Sequence, residues 1–472
     1  MRVETSRGVL RGTTSDGVSR FRGVPYATAR RFAPPEPFPG WEGTHDATRH
    51  GAQCHQLLGP LEQMLGGTSI PMDEHCLTLS VTTPGCDDGR RPVLVWIHGG
   101  AFVTGTGAMP WYHGASLCRR GDVVVVSINY RLGVCGFLGR TNAGLADQVA
   151  ALRWVHDEIA AFGGDPDKVT VFGESAGGAS VLALLAAPSA QGLVHRAWAM
   201  SPSIGQFRDA SRADQVTETI LTSARCEDIE GLTACPIETL LQAQAAVLAD
   251  RTAGFDGFSP TSGTELLPDP VTDAAAANPV PLVVGTTRDE MNLFVMFDPA
   301  LAALDEVGLL AQVEDRFPGR AAEVISLYRE HRPQASAVQT LAAVQTDQTF
   351  RAPAQRLTQA RCDARAPTWS TWFTWSSTGM GAALGSCHGL DIPFAFDNLH
   401  QPGVERFTGP GDDRQAVATA HADAVISFAR SGVAPWDPVD AAGTPTLRID
   451  AVTEQVDDPE PALRRLWETT RP

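Results

Sequence analysis

Ser175 stands in Gly173-Glu174-Ser175-Ala176-Gly177, a G-x-S-x-G pattern with a serine at the apex of a short turn. A serine hydroxyl is a weak nucleophile at neutral pH. It needs a histidine to take its proton and an acid to orient that histidine and steady its cation. The flanks give the pattern its meaning: Val169-Thr170-Val171-Phe172 reads as a buried strand, and Gly178–Ala187 reads as a helix. A turn that tight brings strand end and helix start together, so residues 173 and 177 must be small. The strained turn lifts the hydroxyl clear of the sheet edge, and the helix N-terminus offers free N–H groups to a developing negative charge.

A nucleophile on such a turn expects its acid and then its histidine further along the chain. Among twelve histidines, His388 stands out, far downstream in the small-residue loop Ser386-Cys387-His388-Gly389 that follows the aromatic strand Trp369–Trp375. The acid belongs at an intervening strand end, where Val283-Val284-Gly285-Thr286-Thr287-Arg288 leads into Asp289 and Glu290. The residues alone leave both acids open. Backbone donors for an oxyanion are expected from His98-Gly99-Gly100-Ala101, a run of small residues after the strand Val93–Ile97, together with the Ala176 N–H.

Strands alternating with helices must hold these groups. Leu77–Thr83, Val93–Ile97, Asp122–Tyr130, Ala197–Met200 and Leu282–Val284 read as strands, and Leu145–Phe162 has an apolar face at helical spacing. Val3–Tyr26 reads as a small antiparallel meander with Asp16-Gly17 at its turn. Ala210–Ala249 and Ala300–His331 read as helical, and a last amphipathic helix covers Asp413–Arg430. The alternation predicts an α/β fold with a mostly parallel central sheet covered by helices on both faces. The motifs spread over most of the 472 residues, so one unit spanning 1–472 with helical insertions over the site fits better than several domains.

The bulk numbers exclude some partners. A net charge of −17, from 37 basic and 54 acidic residues, argues against nucleic acid or an anionic membrane surface. The N-terminal residues lack the apolar run of a signal peptide and no stretch approaches a membrane span, which leads us to expect a cytoplasmic protein. In that setting most of the nine cysteines are expected to be reduced. Monomer or homodimer is the default assembly.

The chain resembles the type-B carboxylesterases, the cholinesterase-like branch of the α/β-hydrolases, and among them the bacterial para-nitrobenzyl esterases. The match is carried by FRGVPYA (Phe21–Ala27), DEHCLTLSVTTP (Asp73–Pro84), VLVWIHGGAF (Val93–Phe102), INYRLGVCGFL (Ile128–Leu138) and the run Asn142–Gly178. VGTTRDEMNLF (Val284–Phe294) and CHGLDIPFAF (Cys387–Phe396) continue it. The resemblance implies hydrolysis of a small-molecule ester with no cofactor and no metal. It puts the nucleophile on Ser175, the acid on Glu290 and the base on His388. It puts the oxyanion donors on Gly100, Ala101 and Ala176, and supporting roles on Glu174 and Ser201. Phe102, Leu293, Phe294 and the Cys54–Cys76 loop are implied as pocket residues. Arg131 and Asp147 match a structural salt bridge, and Cys54/Cys76 and Cys226/Cys235 match pairs that secreted relatives bridge. Asp391 stands where the family has glutamate, Met291 where it has glycine, and Glu74-His75-Cys76 where it has E-D-C. The same three residues would also suit thioester, carbamate, lactone or amide bonds, and some relatives keep the fold only for binding.

Overall fold

A computed structural model describes residues 1–59, 70–249, 256–301 and 303–470. Its centre is an 11-stranded sheet. In chain order the strands are β1 (Thr13–Ser15), β2 (Val18–Pro25), β3 (Thr78–Thr83), β4 (Arg91–Ile97), β5 (Val124–Ile128) and β6 (Gly164–Glu174). They continue as β7 (Arg196–Met200), β8 (Leu282–Thr287), β9 (Thr368–Phe373), β10 (Pro445–Ile449) and β11 (Glu454–Asp457). The spatial order is β11-β10-β9-β8-β7-β6-β4-β5-β3-β2-β1. Every pair from β5 to β10 is parallel, and antiparallel strands close both ends.

Side-chain alternation explains why the sheet is buried on both faces. Val93, Val95 and Ile97 of β4 face the larger core with Val169 and Val171 of β6. Leu94, Trp96 and Phe172 face the opposite layer, where Val425 and Phe428 of the helix Arg414–Ser431 cover them. Trp96 lies 4.8 Å from Phe172 and 5.0 Å from Phe396, ring centre to ring centre. Strands with apolar residues on both sides are what helices on both faces require.

The chain runs from β4 outward to β5 and then crosses back to β6 on the other side of β4. The strand order therefore reverses at β4, and the carboxyl ends of β4 and β6 open a crevice there.

The N-terminal region differs from one continuous meander. Arg2–Thr5 and Gly8–Arg11 form a hairpin that pairs in parallel with Thr44–Asp46, whereas the β1–β2 hairpin, turning at Asp16-Gly17, joins the large sheet through β3. The predicted strand Asp122–Tyr130 is shorter, because Asp122 adopts a left-handed backbone (φ 41°) that ends the helix Ala115–Gly121. Ala210–Ala249 resolves into three helices, Ala210–Ala224, Ile229–Thr233 and Ile237–Ala249. All nine cysteines are free thiols, with the Cys226 and Cys235 sulfurs 3.2 Å apart. Part of the Cys54–Cys76 loop, residues 60–69, lies outside the described residues.

Candidate active site

Ser175 follows the last residue of β6, and the helix Ala176–Ala186 begins immediately after it. Its backbone sits at φ 58°, ψ −120°, a region that costs of order 1–3 kcal/mol for a residue with a side chain. The surroundings enforce this. A Cβ on Gly173 would stand 2.6 Å from the Gly177 carbonyl oxygen, and one on Gly177 would collide with the Ile97 carbonyl. The neighbouring strand ends present the other groups. Ser175 N–H donates to Met200 O at 3.0 Å, which aligns the turn with Ser201 at the end of β7.

Of the two acids that the residues left open, Glu290 reaches the histidine. Its Oε2 lies 2.6 Å from His388 Nδ1, and its Oε1 accepts from Ser201 Oγ at 2.6 Å and from Thr287 N–H at 2.7 Å. Asp289 points elsewhere, to Arg288, Arg332 and the Ser386 N–H. Glu290 is fully buried and its carboxylate is satisfied on both oxygens, so the imidazole ring is held in one orientation with Nδ1–H toward the acid.

The other ring nitrogen, Nε2, lies 3.0 Å from Glu174 Oε1. Neither atom has an aligned hydrogen-bond partner among the described residues. Burial disfavours the imidazolium, but the Glu174 and Glu290 carboxylates outweigh it and hold the His388 pKa up at about 9. Burial pushes the Glu174 carboxyl up to about 7 against the pull of His388, and it pushes Asp391 well above the usual carboxylate range. Three acids and one histidine thus share a small buried volume, and the protons of Glu174, Asp391 and His388 are coupled.

Opposite this cluster, the loop after β4 presents backbone. Gly100 (φ 110°), Ala101 (φ 52°) and Phe102 (φ 61°) all have left-handed or otherwise positive φ. The N–H groups of Gly100, Ala101 and Ala176 donate to no described residue. Behind them, His98 stacks on Tyr130 at 4.5 Å, and the Tyr130 hydroxyl donates to His98 O at 2.9 Å. Burial lowers the His98 pKa to about 4, so this ring is neutral.

Ser175, Glu174, His388, Gly100 and Ala101 line one cavity of about 350 Å³ whose remaining walls are largely apolar. Leu293 and Phe294 line it as expected. Phe102 does not. It is fully buried against Phe137 at 5.1 Å, because the left-handed turn at 101–102 directs its ring into the core. Gln56, from the expected Cys54–Cys76 loop, lines it as well, whereas Trp111, Tyr112, Phe350 and Phe407 were not anticipated. Phe350 lies in a π-helical segment, Asp347–Arg351, and its ring sits 4.8 Å from the His388 ring, with Phe294 at 5.2 Å. The only sequence signal for it is an aromatic residue inside a helical stretch, which core packing explains equally well. Met291, which replaces the family's glycine, also lines the cavity and donates its N–H to Thr346 Oγ1 at 3.0 Å.

Residues 1–462 match the model of the carboxylesterase family. The chain belongs to that family. It is 36% identical over 470 residues to a phenmedipham hydrolase of Pseudarthrobacter oxydans, covering 95% of this chain and 93% of that protein. It is 35% identical to a para-nitrobenzyl esterase of Bacillus subtilis, covering 98% and 97%. A crystal structure of a Geobacillus stearothermophilus carboxylesterase at pH 6.2 superposes with a TM-score of 0.86 at 37% identity, over 99% of both chains. This carboxylesterase is therefore a serine hydrolase acting on carboxylic esters, with the α/β-hydrolase fold of its relatives.

Proposed function

We propose that Ser175 is the nucleophile, His388 the general base and acid, and Glu290 the residue that orients the imidazole. The observation that carries this reading is the 2.6 Å contact from Glu290 to His388 Nδ1, with His388 and Ser175 lining one cavity. Ser175 Oγ attacks the ester carbonyl while its proton passes to His388 Nε2. The carbonyl π pair becomes an oxyanion within reach of the Gly100, Ala101 and Ala176 N–H groups. His388 then gives its proton to the departing alkoxide, leaving an acyl group on Ser175. Water deprotonated by the same nitrogen attacks that acyl group, and the acid and free serine are released. Ser201 steadies Glu290.

The apolar walls suit small and medium ester substrates with hydrophobic acyl or alcohol parts. The named substrates of the relatives, phenmedipham and para-nitrobenzyl esters, are the first compounds to try. We treat residues 1–472 as one catalytic unit, monomeric or dimeric. We place it in the cytoplasm; no described helix is long and apolar enough to cross a membrane.

Hydrolysis of para-nitrophenyl esters from acetate to decanoate, beside Ser175→Ala, tests the proposal. Turnover that varies with chain length and disappears in the variant supports it. Turnover surviving in a folded Ser175→Ala variant refutes the nucleophile assignment.

A further inference from the structure

We infer that Gln56 is a positioning residue for the oxyanion hole, acting through Gly105. The inference rests on the proposed role of the Gly100 and Ala101 N–H groups. The Gln56 carboxamide is buried, at 4% exposure, and binds Gly105 on both sides. Gly105 N–H donates to Gln56 Oε1 at 2.7 Å, while Gln56 Nε2 donates to Gly105 O at 2.9 Å and to Cys54 O at 3.0 Å. The side chain thus pairs with one residue's backbone as a neighbouring strand would, using its donor and its acceptor together.

Gly105 transmits this to the turn before it. At φ 115° it presses so closely on the loop start that a Cβ would stand 2.6 Å from Gly99 O and run into the His98 ring. Val103 and Thr104 N–H groups close the loop onto Gly100 O at 3.0 and 2.9 Å. The segment 100–104 is therefore a closed ring of backbone, with Gly105 packed against Gly99. Its two consecutive non-glycine residues at positive φ, Ala101 and Phe102, are held in a conformation the chain does not favour on its own. Tyr130 and His98 fix one end of that ring, and Gln56 fixes the other. Gln56 also lines the cavity, although its own polar atoms are spent on backbone, which leaves it no hydrogen bond to give a substrate.

If the clamp holds the donors in place, removing it loosens their aim without emptying the pocket. A shift of about 1 Å in a catalytic group costs on the order of a hundredfold in rate. Gln56→Met keeps length and bulk and removes both hydrogen-bonding functions. For para-nitrophenyl butyrate we expect kcat to fall about 10- to 100-fold, with KM moving less than about threefold.

The readout that a merely structural role would not move is a pair of ligands. A butyl trifluoromethyl ketone forms a hemiketal: the Ser175 Oγ–carbon bond forms, the carbonyl π pair becomes the oxyanion, and the Oγ proton goes to His388. The matching trifluoromethyl carbinol fills the same space and forms no oxyanion. The ketone Ki should rise by the factor lost in kcat, while the carbinol Ki changes less than about threefold. Gln56→Asn, which keeps the uncharged carboxamide on a shorter arm, should fall between wild type and Gln56→Met and guards against a misfolded Met variant.

Equal weakening of both ligands, or an unchanged kcat in folded variants, overturns the clamp. A wild-type enzyme that binds the ketone no better than the carbinol overturns the oxyanion reading itself, a failure visible before any Gln56 variant is made.

Discussion

Replacing Glu174 by glutamine should move the pH profile of this enzyme toward acid. His388 carries two carboxylates, Glu290 at 2.6 Å from Nδ1 and Glu174 at 3.0 Å from Nε2, and together they hold its pKa near 9 despite burial. As the proposed base, His388 must be neutral to accept the Ser175 proton, and a pKa near 9 leaves it mostly protonated at pH 7. kcat/KM in the wild type should accordingly climb about tenfold per pH unit through the neutral range and level off near pH 9. The carboxamide introduced by Glu174→Gln would keep the shape and remove the charge. At 3.0 Å the Coulomb energy of the pair is about 5 kcal/mol with an effective dielectric of 20, an upper bound equivalent to about 4 units. Glu174 titrates near 7 and so is charged at the wild-type midpoint, and relaxation of the surroundings around the neutral carboxamide keeps the shift below that bound, at about 1–3 units. The direction follows from charge. Losing an anion beside the imidazolium lowers its pKa, while Glu290 still supports it. The assay is kcat/KM for a para-nitrophenyl ester by pH-stat from pH 5 to 10, wild type against Glu174→Gln. The midpoint of the acid limb reports the imidazole whatever the plateau height does. A midpoint within about 0.3 unit of wild type would show that Glu174 does not govern the histidine, and the reading of this cluster would fail.

Three further outcomes follow from buried polar groups. Burial lowers the His421 pKa to about 3, so the unfolded chain takes up a proton that the folded one refuses. This term leaves stability unaffected well above pH 6.5 and subtracts about 3 kcal/mol by pH 4.5. In calorimetry, His421→Leu should narrow the gap between Tm at pH 7 and at pH 4.5, and an unchanged gap would count against it. Arg131 and Asp147 form a buried bidentate pair with bonds of 2.7 and 2.8 Å, so Asp147→Asn should lower unfolding stability by about 3–5 kcal/mol in urea melts. Ser201→Ala removes a 2.6 Å hydrogen bond to the Glu290 carboxylate and should lower kcat about tenfold with little change in KM. A comparable rise in KM would show that Ser201 acts on substrate binding instead.

Much of the sheet was legible because its signals are local. Val93–Ile97 and Val169–Phe172 carry apolar residues on both faces, and the turn at Ser175 declares itself through Gly173 and Gly177, which pass directly against backbone. Chain order then pointed to His388 and to Asp289 or Glu290, while the choice of Glu290 and the part of Ser201 came from the family resemblance. Which strands lie side by side was less accessible. The two N-terminal hairpins look alike in sequence, yet one pairs with Thr44–Asp46 and the other with β3, a choice made by long-range packing.

The cavity walls were the hard part, and Phe102 and Phe350 show why. Both are aromatic residues close to motif glycines or helices, and an apolar ring serves equally well in a core or in a pocket wall. What separates them is backbone direction. Two successive positive-φ residues turn Phe102 inward onto Phe137, whereas a π-helical segment rotates Phe350 out toward His388. Neither conformation has a residue-type signature, since alanine and phenylalanine at positions 101 and 102 are poor advertisements for a left-handed turn. Such turns persist only because surrounding contacts enforce them, here Gln56 on Gly105 and Tyr130 on His98. The residues least readable from sequence are thus those whose placement depends on contacts far away along the chain. Those contacts shape the cavity in which the proposed Ser175, Glu290 and His388 would meet a substrate.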